Sequence, residues 1–238
     1  RKYYYNYIEK IPTGTNIHCV RGNIVHSALE NFYDIDLEFF EEDSFETQFK
    51  IAIQRMLMEQ WAAYKEELDK LDMSKLELKQ YFEESIMMLL NWSDHFLKEF
   101  SEKLPKHNNS IKETFKAMTP NRELEYRSEK HSIRGFIDAI HEKNGEAHIV
   151  DYKTNKSPEL KDSIKLQLAI YAMLYKEKHG VLPKKVGAFF LRDTLKMIEA
   201  DDFMVENAIA EIEAIHEHTS KTEDKNDYYR KTSPLCKW

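Results

Sequence analysis

Cysteine is scarce: Cys19 and Cys236 are the only two in 238 residues. That is too few, too far apart, for a disulfide scaffold, and it favours a reducing, cytoplasmic compartment. Glycine and proline number six each, which excludes collagen-like and low-complexity chains. No apolar run approaches the roughly 20 residues that a spanning helix needs, so no membrane partner is expected. No secretory leader is visible, and because the chain opens at Arg1 rather than Met, a further N-terminal stretch is expected in the natural protein. The Gly-x-x-x-x-Gly-Lys phosphate loop is absent, so these residues carry no nucleotide-driven motor. Positive charge is not in excess either. Against 42 Asp and Glu stand 35 Lys and Arg, a net charge of −7, which excludes a protein coated in basic surface.

What is present is unevenly placed. Residues 36–103 hold 17 acidic and eight basic side chains, a balance of −9. Residues 151–192 hold four and nine, a balance of +5, which suits phosphate binding or is ordinary solvated lysine. The length suits a single domain with a large core. Helical spacing of apolar residues predicts a helix over 21–32, with Val25, Leu29 and Phe32 on one stripe. A helical insertion is expected at about 36–118, with helices near 44–71, 74–103 (capped by Asp72 or Ser74) and 111–118. Strands are expected at 123–127, 185–191 and 195–200, and helices at 163–178 and 202–218. The tyrosine-rich segment before Lys10 reads as a short helix whose rings either stack on bases or pack into the fold.

The centre of the chain is a hairpin over 133–154. Asn144-Gly145 is a strong type I′ turn signal, because both central positions take positive φ. A two-residue turn pairs Lys143 with Glu146 and so sets Asp138 directly across from Asp151, with Phe136 across from Lys153. Opposed residues have Cβ atoms roughly 4.5–5.5 Å apart. Two carboxylates at that distance repel unless a cation lies between them, and Lys153 falls on the same face. A hard divalent cation with oxygen ligands fits such a site. The bland alternative is a surface hairpin with solvated charges, and a one-residue slip would separate the acids.

These residues resemble the PD-(D/E)XK nuclease superfamily, and within it the RecB-like branch that includes the RecB and AddB nuclease domains and CRISPR-associated RecB-like exonucleases. Asp138, in Gly135-Phe136-Ile137-Asp138, matches the first acid, and Asp151-Tyr152-Lys153 matches the acid-x-lysine. Arg21 to Glu30 is similar to the helix bearing a metal-binding histidine, here His26, and Gln167-Leu168-Ala169-Ile170-Tyr171 is similar to the Gln-x-x-x-Tyr motif. The resemblance implies an α/β, restriction-endonuclease-like core, a central mixed sheet flanked by helices. It implies a DNase that uses Mg²⁺ or Mn²⁺, held by His26, Asp138, Asp151 and the Tyr152 carbonyl, with Asp138, Asp151 and Lys153 catalytic. Gln167 and Tyr171 would contact DNA or position Lys153, Glu30 would orient His26, and Glu123 or Glu125 would approach the site.

The same resemblance implies an exonuclease acting on single-stranded DNA or DNA ends, in repair, recombination or CRISPR adaptation. A separate helicase or CRISPR adaptation proteins would be its partners. Several RecB-like families also carry an iron–sulfur cluster, and Cys236 looks like the first of its C-terminal cysteines. A 4Fe–4S cluster needs about four thiolates, so it belongs only to a longer natural chain, and Cys19 reads as a buried residue outside the pattern. Two rivals come from other classes: a catalytically inactive nucleic-acid-binding module of the same fold, and a scaffold whose acidic helices are the working surface.

Overall fold

A computed structural model describes residues 4–11, 14–108, 110–222 and 225–227. Cys236 lies outside them. The tyrosine-rich segment forms one wide turn, Tyr4–Ile8. Helix α1 (Ile17–Phe32) begins four residues before Arg21, because Asn16 caps it: its side-chain oxygen accepts from the backbone N–H of His18 at 3.0 Å and of Cys19 at 3.1 Å. Its buried stripe runs through Ile17, Val20, Ile24, Val25, Ala28, Leu29 and Phe32. Cys19 falls off that stripe and is exposed, against the expectation that it is buried.

Helices α2 (Phe45–Ala63), α3 (Lys65–Asp69), α4 (Lys75–Lys103) and α5 (Ile111–Met118) follow without an intervening strand among the described residues. Ser74, rather than Asp72, caps α4: Ser74 Oγ accepts from Glu77 N–H at 3.2 Å, while Glu77 Oε2 accepts from Ser74 N–H at 2.9 Å. Aromatic rings hold α1, α2, α4 and α5 together. Phe32 meets Phe49, Trp92, Phe96 and Phe115 with centroids 5.0–5.8 Å apart, within the range where edge and offset contacts are favourable.

That helical layer covers one face of a five-stranded sheet, β1 (Asn121–Ser128), β2 (Ile133–Lys143), β3 (Glu146–Lys153), β4 (Lys185–Phe190) and β5 (Leu195–Glu199), in the order β1-β2-β3-β4-β5. Neighbours are antiparallel except β3 and β4, which are parallel and joined by α6 (Asp162–His179), the crossover a parallel pair requires. Gly180, at φ 75°, ends α6. With α7 (Asp202–Ser220), α6 covers the second face, packing Leu168, Ala172 and Val205 against Ile140, Ile149 and Val186. This is the mixed-sheet α/β architecture expected.

Packing leaves no room beside Gly187 on β4. A Cβ there would lie 2.3 Å from the Lys196 carbonyl oxygen and from Met197 Sδ on β5, and the carbonyl belongs to a paired strand that cannot step aside. Gly187→Ala is expected to cost about 3 kcal/mol, lowering the Tm by roughly 6–12 °C, measurable by thermal denaturation.

The hairpin forms as predicted up to one point. Asn144 (φ 55°) and Gly145 (φ 77°) make the tight turn, and the pairs run from Lys143 with Glu146 to Ala139 with Val150. There the β2–β3 ladder stops, one pair short of Asp138 and Asp151. The β1–β2 ladder skips the same level: Arg122 pairs with Ala139 and Leu124 with Ile137, while Glu123, opposite Asp138, is left out. Glu123 has φ 47°, a strained region for a long side chain. The faces change here too. Ile140 and Ile137, three apart, both pack toward α6, whereas Ala139 packs toward α1 and α4. Gly135 also faces α6, where a Cβ would meet Leu174 and Tyr171 at 3.3 Å. The strict alternation that placed Phe136 beside Lys153 therefore does not hold. Phe136 points away from that face and is 50% exposed.

Candidate active site

The break in alternation turns Asp138 toward the parting between β2 and β3. Its Oδ2 accepts a hydrogen bond from the backbone N–H of Tyr152 at 2.7 Å and lies 3.4 Å from His26 Nδ1. The other ring nitrogen, Nε2, is 2.9 Å from the Tyr152 carbonyl oxygen. His26 thus reaches from the edge of the buried stripe of α1 to bridge an acid on β2 and a main-chain oxygen on β3. Glu30, expected to orient His26, makes no such bond; its backbone carbonyl instead accepts from Arg122, which also pairs with Asp34 at 2.9 Å.

Glu123 enters from β1. Ligand atoms of His26, Glu123 and Asp138 all lie within 4.8 Å of one another, a spread that one cation can span. Glu125 does not join them and is held by Arg127 at 3.0 Å. Of the four ligands that the resemblance implied, His26 contacts two, Asp138 and the Tyr152 carbonyl. Asp151 stands to one side, on the face toward α6 and only 2% exposed. Its Oδ2 is 2.6 Å from Lys153 Nζ, so an ion pair with the ammonium holds the buried carboxylate. Lys153 Nζ donates to Gln167 Oε1 at 2.8 Å, and Gln167 Nε2 donates to Tyr171 Oη at 2.8 Å. Gln167 and Tyr171 therefore form a relay from α6 that fixes the ammonium, and Tyr171 is also core, 7% exposed.

Acids so close together hold protons against their neighbours' charge. Glu123 is pushed up to about 7 by burial and by Asp138. Asp151 is pushed up to about 6 by burial and by Asp138, with Lys153 pulling the other way. Burial pulls the His26 pKa down, but the Asp138 hydrogen bond and the charges of Asp138 and Asp151 outweigh it, and the net shift is upward. Two acids raised by burial and by the charge of Asp138, and an imidazole set among oxygens, make a donor set suited to a divalent cation. A cavity of about 460 Å³ under the hairpin tip, between α4, α5 and the sheet, is lined by Trp92, Phe96, Glu99, His141 and His148 and contains none of these acids.

Sequence reasoning raised Glu123 and Glu125 as equals, because strand alternation puts both on one face. Only the positive φ at Glu123, invisible in the sequence, separates them.

Over 59 residues the chain is 39% identical to the Gene 69 protein of Mycobacterium phage L5, a stretch that is 25% of this chain and 19% of that protein. A crystal structure of a candidate exonuclease from Eubacterium rectale aligns over 97% of this chain and 82% of its own, at 10% identity and a TM-score of 0.47, and so distant a likeness carries no argument. The model of the PD-(D/E)XK nuclease superfamily matches residues 1–236. With nearly the whole chain matched, and with its acids, lysine and histidine gathered where β2 parts from β3, this protein belongs to the PD-(D/E)XK nuclease superfamily.

Proposed function

We infer that the protein is a Mg²⁺- or Mn²⁺-dependent exonuclease acting on single-stranded DNA or DNA ends. The carrying observation is the ammonium of Lys153, fixed between Asp151 and Gln167 beside a cluster of acids and His26. Asp138, Glu123 and His26 would hold the cation, joined by the Tyr152 carbonyl and Asp151. When bound, the cation polarises the scissile phosphate and lowers the pKa of the attacking water. His26 would hold the cation together with the two oxygens that it contacts, those of Asp138 and the Tyr152 carbonyl. Lys153 has three N–H donors. Asp151 and Gln167 occupy two directions, and the third is left for the phosphate, where the ammonium offsets charge that develops as the water attacks. The Tyr171–Gln167 relay keeps the ammonium from turning away. No helix among the described residues is long and apolar enough to cross a membrane, and the basic balance of residues 151–192 lies on the elements around Lys153, which favours an anionic polymer as substrate.

End-labelled linear and covalently closed circular single strands, incubated with Mg²⁺, Mn²⁺ or chelator and followed over time, test this. The expected result is loss of nucleotides from one end of the linear strand, none from the circle, and none with chelator. Cutting of the circle would refute the exonuclease mode. Binding that needs neither Mg²⁺ nor Mn²⁺, without cutting of either strand, would favour the inactive binding module.

A further inference from the structure

A second polar cluster lies where β3 and β4 end, and the acid row does not use it. Arg21 on α1 and Arg192, just past β4, converge on a single oxygen, Oε2 of Glu84 on α4, at 2.8 and 2.6 Å. Arg192 Nε also donates to the carbonyl of Thr154 at 3.4 Å, and Leu191 N–H donates to the carbonyl of Lys153 at 2.9 Å. The cluster is therefore one residue beyond Lys153 along β3 and adjoins it across the sheet. This is the carboxyl end of two parallel strands, the edge where open α/β sheets place ligands.

The charge here is not balanced. Two guanidinium groups face one carboxylate, and roughly ten N–H donors have few acceptors. The Arg21 side chain is 3% exposed, lies over the Tyr81 ring at 5.1 Å, and has a buried Nε with no hydrogen-bond partner. The Arg192 and Glu84 side chains are 22% and 40% exposed, open enough for exchange with solvent. Docking of α4 does not depend on Glu84. Asn91 Nδ2 donates to the carbonyls of Leu191 at 3.1 Å and Asp193 at 3.0 Å, and Met88, Leu89 and Trp92 are buried on the same helix. A strut would need one arginine; a second, sharing the same oxygen, adds repulsion that only another anion relieves.

We propose that Arg21 and Arg192 form a subsite for a backbone phosphate of the substrate strand, beside the scissile one, and that Glu84 is its internal stand-in, displaced when the strand enters. The proposal rests on the nuclease reading and adds to it the residues that grip the strand. Arg192 makes the direct contact, through the paired donors that suit guanidinium to phosphate. Arg21 is a positioning residue that holds positive charge beneath it. Glu84 competes for the same donors, so the strand's affinity is set by the difference between two anions.

Fluorescence anisotropy of a labelled oligothymidylate in chelator, where turnover is absent, measured across a salt series with the Tm of each variant recorded, tests the subsite. Glu84→Gln is expected to bind the oligonucleotide more tightly than the native chain at low salt, even if its Tm falls. Arg192→Gln is expected to weaken binding roughly tenfold and to reduce the salt slope by about 0.7, with Arg192→Lys keeping the slope but not the full affinity. Unchanged or weaker binding by Glu84→Gln, native affinity and slope in Arg192→Gln, or no binding by any form would each overturn the proposal. A failed nuclease reading looks different: the native chain would bind the oligonucleotide, with Glu84→Gln and Arg192→Gln shifting the affinity as expected, and cut nothing in either metal.

Discussion

Lys153→Met is expected to lower phosphodiester cleavage by about 10²–10³-fold, the size of effect seen when one fixed donor to a developing oxyanion is lost. The loss should fall on kcat more than on KM, because the ammonium matters most once charge has built up on the phosphate. Lys153 is also the cation nearest the buried Asp151 carboxylate. Its removal raises the Asp151 pKa further, so the variant should hold an extra proton rather than unfold. Its Tm in chelator should accordingly fall at pH 8 and match the native protein near pH 5. Single-turnover cleavage beside thermal denaturation at the two pH values separates these effects. Cleavage within twofold of native would remove Lys153 from the chemistry, whatever its effect on stability.

Chelator and pH should act together on stability. Glu123 rises from 4.5 to about 7 and Asp151 from 3.8 to about 6 on folding, and His26 also rises. A group raised on folding contributes stability in full below its unfolded pKa and loses it as pH climbs through its folded pKa. All three therefore push the same way: the metal-free protein should weaken as pH rises from about 4 through 7, as like charges appear in a half-buried cluster. A divalent cation opposes that weakening and must displace the protons to bind. At a hundredfold excess over Kd, binding contributes about 2.7 kcal/mol, or roughly 5–10 °C in Tm at this chain length. The rise in Tm with Mg²⁺ or Mn²⁺ should be near that size at pH 8 and small at pH 5. Glu123→Gln should raise the Tm in chelator at pH 8 and shrink the response to metal. A metal response equal at both pH values would show that these acids are not the ligands.

Much of this was legible from residues alone. The Asn144-Gly145 turn, the apolar runs of β3 and β4 buried on both faces, and the 3.6-residue stripes of α1 and α4 are local patterns with local causes. Asn16 and Ser74 as caps have local causes too. The Gln167 and Tyr171 spacing, one helical turn, suffices for a relay once α6 crosses over β3. Less legible was the long-range chemistry. Nothing near Arg21, Glu84 or Arg192 in the chain signals that they meet, since they come from three elements separated by 63 and 108 positions.

The amino-acid sequence by itself determined which side chains were available and on which elements: acids on adjacent strands, a lysine two residues past one of them, a histidine on a helix edge. The tertiary structure decided how they face one another. A regular hairpin would have laid Asp138 flat against Asp151. Instead the ladder opens at Asp138 because its carboxylate takes the Tyr152 N–H that pairing across β2 and β3 would have left to a main-chain oxygen, and Glu123 takes up positive φ beside it. Backbone pairing and side-chain coordination compete for the same donors, and which one wins depends on the layers of α1 and α6 pressing on the two faces. No pattern of period two contains that outcome.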